Sequence, residues 1–153
     1  MIQARLDELG WTLPDATPAL AAYRPAVLDG VHLYVSGQLP MRDGRLTAEG
    51  PVPSPCTLEC AQQAARQCVL NALGAARDAL DGDLDRLERV LRLGVFVASE
   101  PGFAQQHLVA NGASEALVEL LGDAGRHARA AVGVLALPLG ASVEVELLAR
   151  VRA

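Results

Sequence analysis

Two strand-like runs near the end of the chain, Arg129–Ala136 and Ser142–Val151, constrain its fold more than any other segment. The Leu-Pro-Leu-Gly sequence between them is typical of a turn, so the two runs predict a β-hairpin. Side chains alternate along a strand, so Glu144 and Glu146 share one face while apolar side chains occupy the other. Because an unpaired buried charge is costly, the face that carries the glutamates must meet water, a ligand or another protein surface.

The register of this hairpin predicts a small anion site. With the turn centred in the Leu-Pro-Leu-Gly sequence, one face of the hairpin would be lined by Arg129, Ala131, Gly133 and Glu144. At a rise of about 3.3 Å per residue, the Cα atoms of Arg129 and Glu144 would lie about 13 Å apart. The sequence therefore predicts a shallow seat for an anion, with a guanidinium at one end and a carboxylate at the other.

The rest of the chain alternates between strand-like and helix-like patterns. Apolar spacing and turn residues predict helices over residues 2–9, 57–80 and 102–121, and strands over residues 26–28, 31–36 and 87–98. This order predicts one domain over residues 1–153, with an N-terminal extension over residues 1–20 that contains the short helix. We expect an α+β fold, a single mixed β-sheet with the two long helices on one face. The second face of the sheet then needs cover from outside.

The charge composition excludes several functional classes. The chain has 153 residues, a net charge of −5 and no lysine, so all 13 basic side chains are arginine. Without lysine there is no Schiff-base chemistry, no P-loop lysine and no lysine general base. The acidic balance argues against a nucleic-acid partner, which would need a basic stripe. A bound anion would be held by the planar fork of an arginine.

The three cysteines do not predict a metal site. Cys56, Cys60 and Cys68 form no C-x-x-C motif, and no histidine has ligand spacing to them. We interpret them as small buried hydrophobes. The N-terminus mixes charges throughout, and the longest apolar run is too short to cross a bilayer. We therefore expect a cytoplasmic protein with no membrane partner.

Four segments together resemble the reactive-intermediate deaminase family, also called RidA or YjgF-like and formerly endoribonuclease L-PSP. Ser36-Gly37-Gln38-Leu39-Pro40 matches the S-G-Q-x-P motif of that family, and Tyr23 stands at the expected spacing before it. Asn111 opens the sequence N-G-A-S-E-A-L, and residues 125–134 read G-R-H-A-R-A-A-V-G-V, which is similar to a less-studied branch. The resemblance implies a chorismate-mutase-like fold and a homotrimer with ligand sites between subunits.

The resemblance also implies roles for individual residues. Arg129 would grip a substrate carboxylate with two parallel hydrogen bonds. Glu144 would orient or deprotonate the water that attacks an imine carbon; the alternative is a structural ion pair with Arg129 or with an arginine of a neighbouring subunit. His127 is a further candidate for ligand contact, although a histidine at the start of a strand is more often just a partly exposed polar residue. The expected pocket residues are Tyr23, Ser36, Gly37, Asn111 and Ala131, the last standing where better-known members have cysteine.

The function that the resemblance implies is hydrolytic deamination of reactive enamine and imine intermediates such as 2-aminoacrylate, releasing ammonia and a 2-oxo acid. No cofactor is expected, because the imine carbon is already electrophilic. The alternative is a non-catalytic trimer that binds a small carboxylate ligand such as a 2-oxo acid. A ribonuclease, suggested by the older family name, is the weakest alternative because the chain is acidic and lacks lysine.

Overall fold

The structure of the protein is a computed structural model that describes residues 1–15 and 21–153. The part of the predicted extension beyond Asp15, up to residue 20, lies outside the described residues. In chain order, the elements are α1 (Ile2–Leu9), β1 (Ala26–Asp29), β2 (His32–Gln38), β3 (Met41–Arg42), β4 (Arg45–Leu46), α2 (Leu58–Ala79), β5 (Leu87–Ala98), α3 (Gln106–Leu121), β6 (Ala128–Val134) and β7 (Val143–Val151).

The main sheet has five strands in the order β1-β2-β7-β5-β6. Only β5 and β6 are parallel to each other, and the other neighbours are antiparallel. Both long helices pack on one face, α2 against β2 and β7, and α3 against β5 and β6. The predicted α+β class, with a mixed sheet and two helices on one face, is confirmed.

The long helices form where apolar spacing predicts them. The hydroxyl of Thr57 accepts a hydrogen bond of 3.1 Å from the backbone N–H of Cys60, which caps α2 at the predicted position. The buried face of α2 consists mostly of alanine, and the two helices approach closely because Gly112 has no side chain. A Cβ at Gly112 would lie 2.0 Å from the Gln62 carbonyl oxygen. The start of α3 predicted at Gly102 is wrong, because Gly102 has a φ of 83° and the helix begins at Gln106.

The predicted hairpin between the last two strands is wrong. β5 lies between β6 and β7, pairing with β6 in parallel and with β7 antiparallel. Two features explain the difference. α3 connects β5 to β6 as a strand–helix–strand unit, whose strands pair in parallel. In addition, β5 is long and largely buried, so both of its edges need partners. The Leu-Pro-Leu-Gly sequence is one turn of a longer connection, which is tied to residues 48–50 by hydrogen bonds from Gly50 N to Gly140 O and from Ser142 N to Ala48 O.

This topology places the two key charged residues on opposite faces of the sheet. Arg129 pairs with Leu93, which pairs with Leu147 of β7, and both leucines are buried beneath the helices. Glu144 pairs with Phe96, on the face without helices. Arg129 and Glu144 are two strands and three residues apart, a Cα separation of about 14 Å. The expectation that they line one surface of the same subunit is therefore wrong.

The face without helices, called the open face below, carries both apolar and charged side chains. Val27, Tyr34 and Val132 are 46–50% exposed there, and Glu144 and Glu146 lie on the same face of β7. Exposed apolar side chains on a sheet face indicate a surface that another molecule covers.

The cysteines behave as small buried side chains. Cys56, Cys60 and Cys68 are free thiols, two of them buried, and burial raises the pKa of both Cys56 and Cys68. Among the described residues, no group of three His, Cys, Asp or Glu side chains is placed to hold a metal ion. No helix within residues 1–15 and 21–153 is long and apolar enough to cross a bilayer.

Candidate functional site

Arg129 lies on the edge strand β6, and its side chain reaches across to α3. Its Nη1 donates hydrogen bonds to Asn111 Oδ1 and Ser114 Oγ, both at 3.0 Å. Its Nη2 donates to the carbonyl oxygen of His107 at 3.3 Å. Three hydrogen bonds to one helix fix the guanidinium in place before any ligand arrives, which lowers the entropy cost of binding.

The same hydrogen-bond network continues to His127. His127 Nδ1 lies 2.6 Å from the Gly125 carbonyl oxygen, which can only accept, so Nδ1 carries the proton. Nε2 of the neutral ring then accepts from the Ser114 hydroxyl at 3.0 Å. Burial lowers the pKa of His127 and the charge of Arg129 lowers it further, against the hydrogen bond to Gly125. A neutral His127 therefore holds Ser114 so that its oxygen faces Arg129.

In the described part of the chain, Arg129 keeps two of its five N–H groups free for a ligand. Arginine has five N–H donors, and Arg129 uses three of them. Within the described residues, the Nε–H and one Nη2–H have no acceptor, and no carboxylate lies within 4 Å of the group. These two N–H groups remain to donate hydrogen bonds to the oxygens of a carboxylate.

Glu144 stands on the open face, directly over Gly37. A Cβ at Gly37 would lie 1.9 Å from Glu144 Oε1, so the carboxylate occupies the space that any other residue at position 37 would fill. Burial raises the pKa of Glu144, and the neighbouring charge of Glu146 raises it further. A carboxylate that holds its proton more tightly than usual is suited to accept a proton from water.

The structure does not support an ion pair between Glu144 and Arg129 within one subunit. The two side chains lie on opposite faces of the sheet, and Arg129 is bonded to α3. Among the described residues, Glu144 has no basic side chain within 4 Å. A pairing with an arginine of a neighbouring subunit stays a prediction.

The other expected pocket residues divide between the two sides of the sheet. Ala131 follows Arg129 by two residues and shares its face of β6. Ser36 lies beside Gly37, but its hydroxyl already donates to the Arg24 carbonyl oxygen at 2.7 Å. Tyr23 is 59% exposed. The structure therefore brings Asn111, Ala131 and His127 together with Arg129, and Gly37 together with Glu144.

Ser114 is part of this site and was missed by the sequence analysis. Its oxygen accepts from Arg129, while its hydroxyl hydrogen is donated to His127. The available signal was its spacing, because Asn111 and Ser114 are three residues apart in the N-G-A-S motif and so share one helix face.

The raised pKa of Glu144 predicts how pH changes stability in the Glu144→Gln variant. The folded state binds this proton more tightly than the unfolded state, so wild-type stability falls as pH rises through the raised pKa. Glutamine does not titrate, so the difference in melting temperature, variant minus wild type, should increase as pH rises from acid to neutral. Thermal melts at several pH values measure this difference, with the exposed Glu115→Gln as control. A difference that falls over this range would mean that a cation stabilises the charged carboxylate.

Comparisons with known proteins agree along nearly the whole chain. Residues 3–151 match the family described as "YjgF/chorismate_mutase-like, putative endoribonuclease". The Trypanosoma cruzi protein TCP17 is 45% identical over 148 residues, which cover 96% of this chain and 92% of that protein.

Two solved structures share both fold and sequence with this chain. A protein of unknown function from Agrobacterium tumefaciens is 48% identical with a TM-score of 0.92, covering 99% of this chain and 92% of its own. A Shewanella oneidensis protein, described like the family as an endoribonuclease, is 30% identical with a TM-score of 0.94, covering 99% of both chains.

Proposed function

Because the chain belongs to the YjgF/chorismate-mutase-like family, we propose that it is a hydrolytic deaminase of small enamine and imine acids such as 2-aminoacrylate. The observation that carries the proposal is the guanidinium of Arg129, which three hydrogen bonds to α3 hold in place while two of its N–H groups have no acceptor among the described residues. These N–H groups can bind the carboxylate common to the substrate, the intermediates and the 2-oxo acid product.

The reacting site requires two subunits. Arg129 and Glu144 lie on opposite faces of one sheet, so their side chains point away from each other and cannot both contact one three-carbon acid within a subunit. The open face of a second copy supplies Glu144 and Gly37 to the Arg129 side of the first copy. A homotrimer closes such a head-to-tail contact, gives three equivalent sites, and covers Val27, Tyr34 and Val132.

The chemistry needs only positioning and one proton acceptor. The enamine tautomerises to 2-iminopropionate, whose carboxylate binds Arg129 while its imine carbon faces the water. Glu144 accepts a proton as the water oxygen bonds to the imine carbon, and the imine nitrogen takes up a proton from solvent to give a carbinolamine. Glu144 returns its proton to the nitrogen as the C–N bond breaks, releasing ammonia and, after loss of the hydroxyl proton, pyruvate. A raised pKa suits a carboxyl group that takes and returns a proton.

Ammonia release from freshly generated 2-aminoacrylate tests this proposal. We expect the protein to accelerate ammonia formation above the spontaneous rate, with pyruvate formed in equal amount. Heat-denatured protein at the same concentration is the control. Saturable pyruvate binding without any acceleration would contradict the deaminase proposal and favour the second candidate, a 2-oxo acid binding protein, which needs only the Arg129 side of the site.

A further inference from the structure

A second group of arginines lies at the end of the open face that is remote from Glu144. Arg150 on β7 pairs directly with Arg89 on β5 and, on its other side, with His32 on β2. Residues opposed in this way project from the same face, and like charges directly opposite each other destabilise a sheet. Arg92 lies on the same face of β5 and pairs with Leu148, two residues before Arg150 on β7. An arrangement of this kind persists only where something offsets the repulsion.

The local backbone turns this end of the sheet into a depression. β5 has a register shift between Val90 and Arg92, and its pairing with β6 begins only at Arg92. Such bulges redirect side chains and often lie beside binding sites. The resulting shallow depression has a volume of about 480 Å³, and the residues that line it include Arg89, Arg126, Arg150, His127, Leu91 and Ala128.

Acidic side chains offset only part of this charge, and one of them, Asp29, lies in the same row beyond His32. Glu88 pairs with Arg150 at 2.8 Å, and Asp123 pairs more loosely with Arg126 at 3.6 Å, where both side chains are mostly exposed. Within the described residues, Arg89 has no acidic partner within 4 Å. This excess of positive charge stands out in a chain whose net charge is −5.

We propose that this depression is a binding site for a small multivalent oxyanion, of the size and charge of inorganic phosphate or a phosphate monoester. Arg89, Arg126 and Arg150 would each donate to its oxygens, since guanidinium groups match tetrahedral oxyanions. The bound anion would offset the repulsion between Arg89 and Arg150 and so stabilise the folded protein. Arg89 and Arg150 lie on the face of the sheet opposite the Arg129 guanidinium, and the proposal does not depend on the proposed deaminase activity.

Inorganic phosphate and a phosphate monoester, glycerol phosphate, test the proposal by calorimetry and thermal melts. With chloride adjusted to keep ionic strength constant, we expect saturable binding of one phosphate per subunit and a rise in melting temperature. Arg89→Gln and Arg150→Gln should each weaken phosphate binding at least tenfold, because each removes a donor to the anion. The exposed Arg45→Gln should leave phosphate binding unchanged, and none of the three should change ammonia release. Tighter binding of glycerol phosphate than of phosphate would identify an ester as the preferred form.

Two results would overturn the proposal. The first is a melting temperature that depends on ionic strength alone, with no saturable binding of either probe. The second is a loss of assembly mass by light scattering in both glutamine variants with no effect of phosphate on the wild type. That second result would mean that carboxylates of another copy of the chain, rather than a free anion, neutralise these arginines.

Discussion

Substitution of Arg129 by lysine should remove most of the affinity for a 2-oxo acid, although it keeps the positive charge. Lysine carries a point charge and cannot present two parallel N–H groups to a carboxylate. It also cannot bond simultaneously to Asn111, Ser114 and the His107 carbonyl oxygen, so the charge would no longer be held in one position. Loss of a charge-assisted contact of this type costs about 1.5–3 kcal/mol.

Calorimetric titration with pyruvate measures this loss of affinity. Arg45→Lys is the matched control, because Arg45 is exposed on β4, away from the main sheet. The affinity of the Arg45→Lys variant for pyruvate should equal that of the wild type. Pyruvate binding that survives unchanged in Arg129→Lys would remove Arg129 from the site.

Glu144→Gln should slow ammonia release by about 10²–10⁴-fold, the range typical of a lost general base. The affinity for pyruvate should stay close to that of the wild type, since Arg129 is untouched. Gly37→Ala should have a similar effect without removing the carboxylate, because its Cβ would lie 1.9 Å from Glu144 Oε1. That oxygen is the end of a flexible side chain, so the carboxylate should move while the backbone remains in place.

A substitution at a second glycine on the same face distinguishes a changed position of Glu144 from general damage to the sheet. Gly94→Ala would instead displace Glu146, whose Oε1 and Cγ would lie 2.6 Å and 2.7 Å from the new Cβ, and it should slow turnover far less than Gly37→Ala because Glu146 does not handle the water. The double variant Gly37→Ala with Glu144→Gln should be no slower than Glu144→Gln alone, because both changes act on one group. Normal turnover in Glu144→Gln would contradict the role of Glu144 as general base.

Local sequence signals predicted the elements of this fold well. The helix predicted over residues 57–80 matches α2, which Thr57 caps, and the strand predicted over residues 87–98 matches β5. Which strands pair with each other could not be predicted from these local signals. The turn sequence around Pro138 favours a hairpin in isolation, but the long buried strand β5 gains more by pairing on both edges than a local hairpin would. Nothing in the short-range pattern of the last two strands indicates this insertion.

Because the predicted hairpin between the last two strands is wrong, the predicted arrangement of the site residues is wrong as well. A hairpin would place the side chains of Arg129 and Glu144 on one face of the sheet. With β5 inserted between β6 and β7, the observed register places them on opposite faces. The residues themselves were found from short motifs, because S-G-Q-L-P includes Gly37 and the N-G-A-S motif includes Asn111. Their division into two halves depends on the sheet order, which those motifs do not encode.

Mixing of two inactive variants tests most directly whether one site is built from two subunits. Arg129→Lys and Glu144→Gln proteins would be combined in equal amounts, dissociated together, reassembled, and assayed for ammonia release from 2-aminoacrylate. In every mixed trimer, one of the three sites regains both native residues, so random mixing should restore about one quarter of wild-type activity. Each variant put through the same procedure alone should stay inactive. Failure of the mixture to exceed the two variants, with mixed trimers demonstrated by mass, would contradict a site shared between subunits.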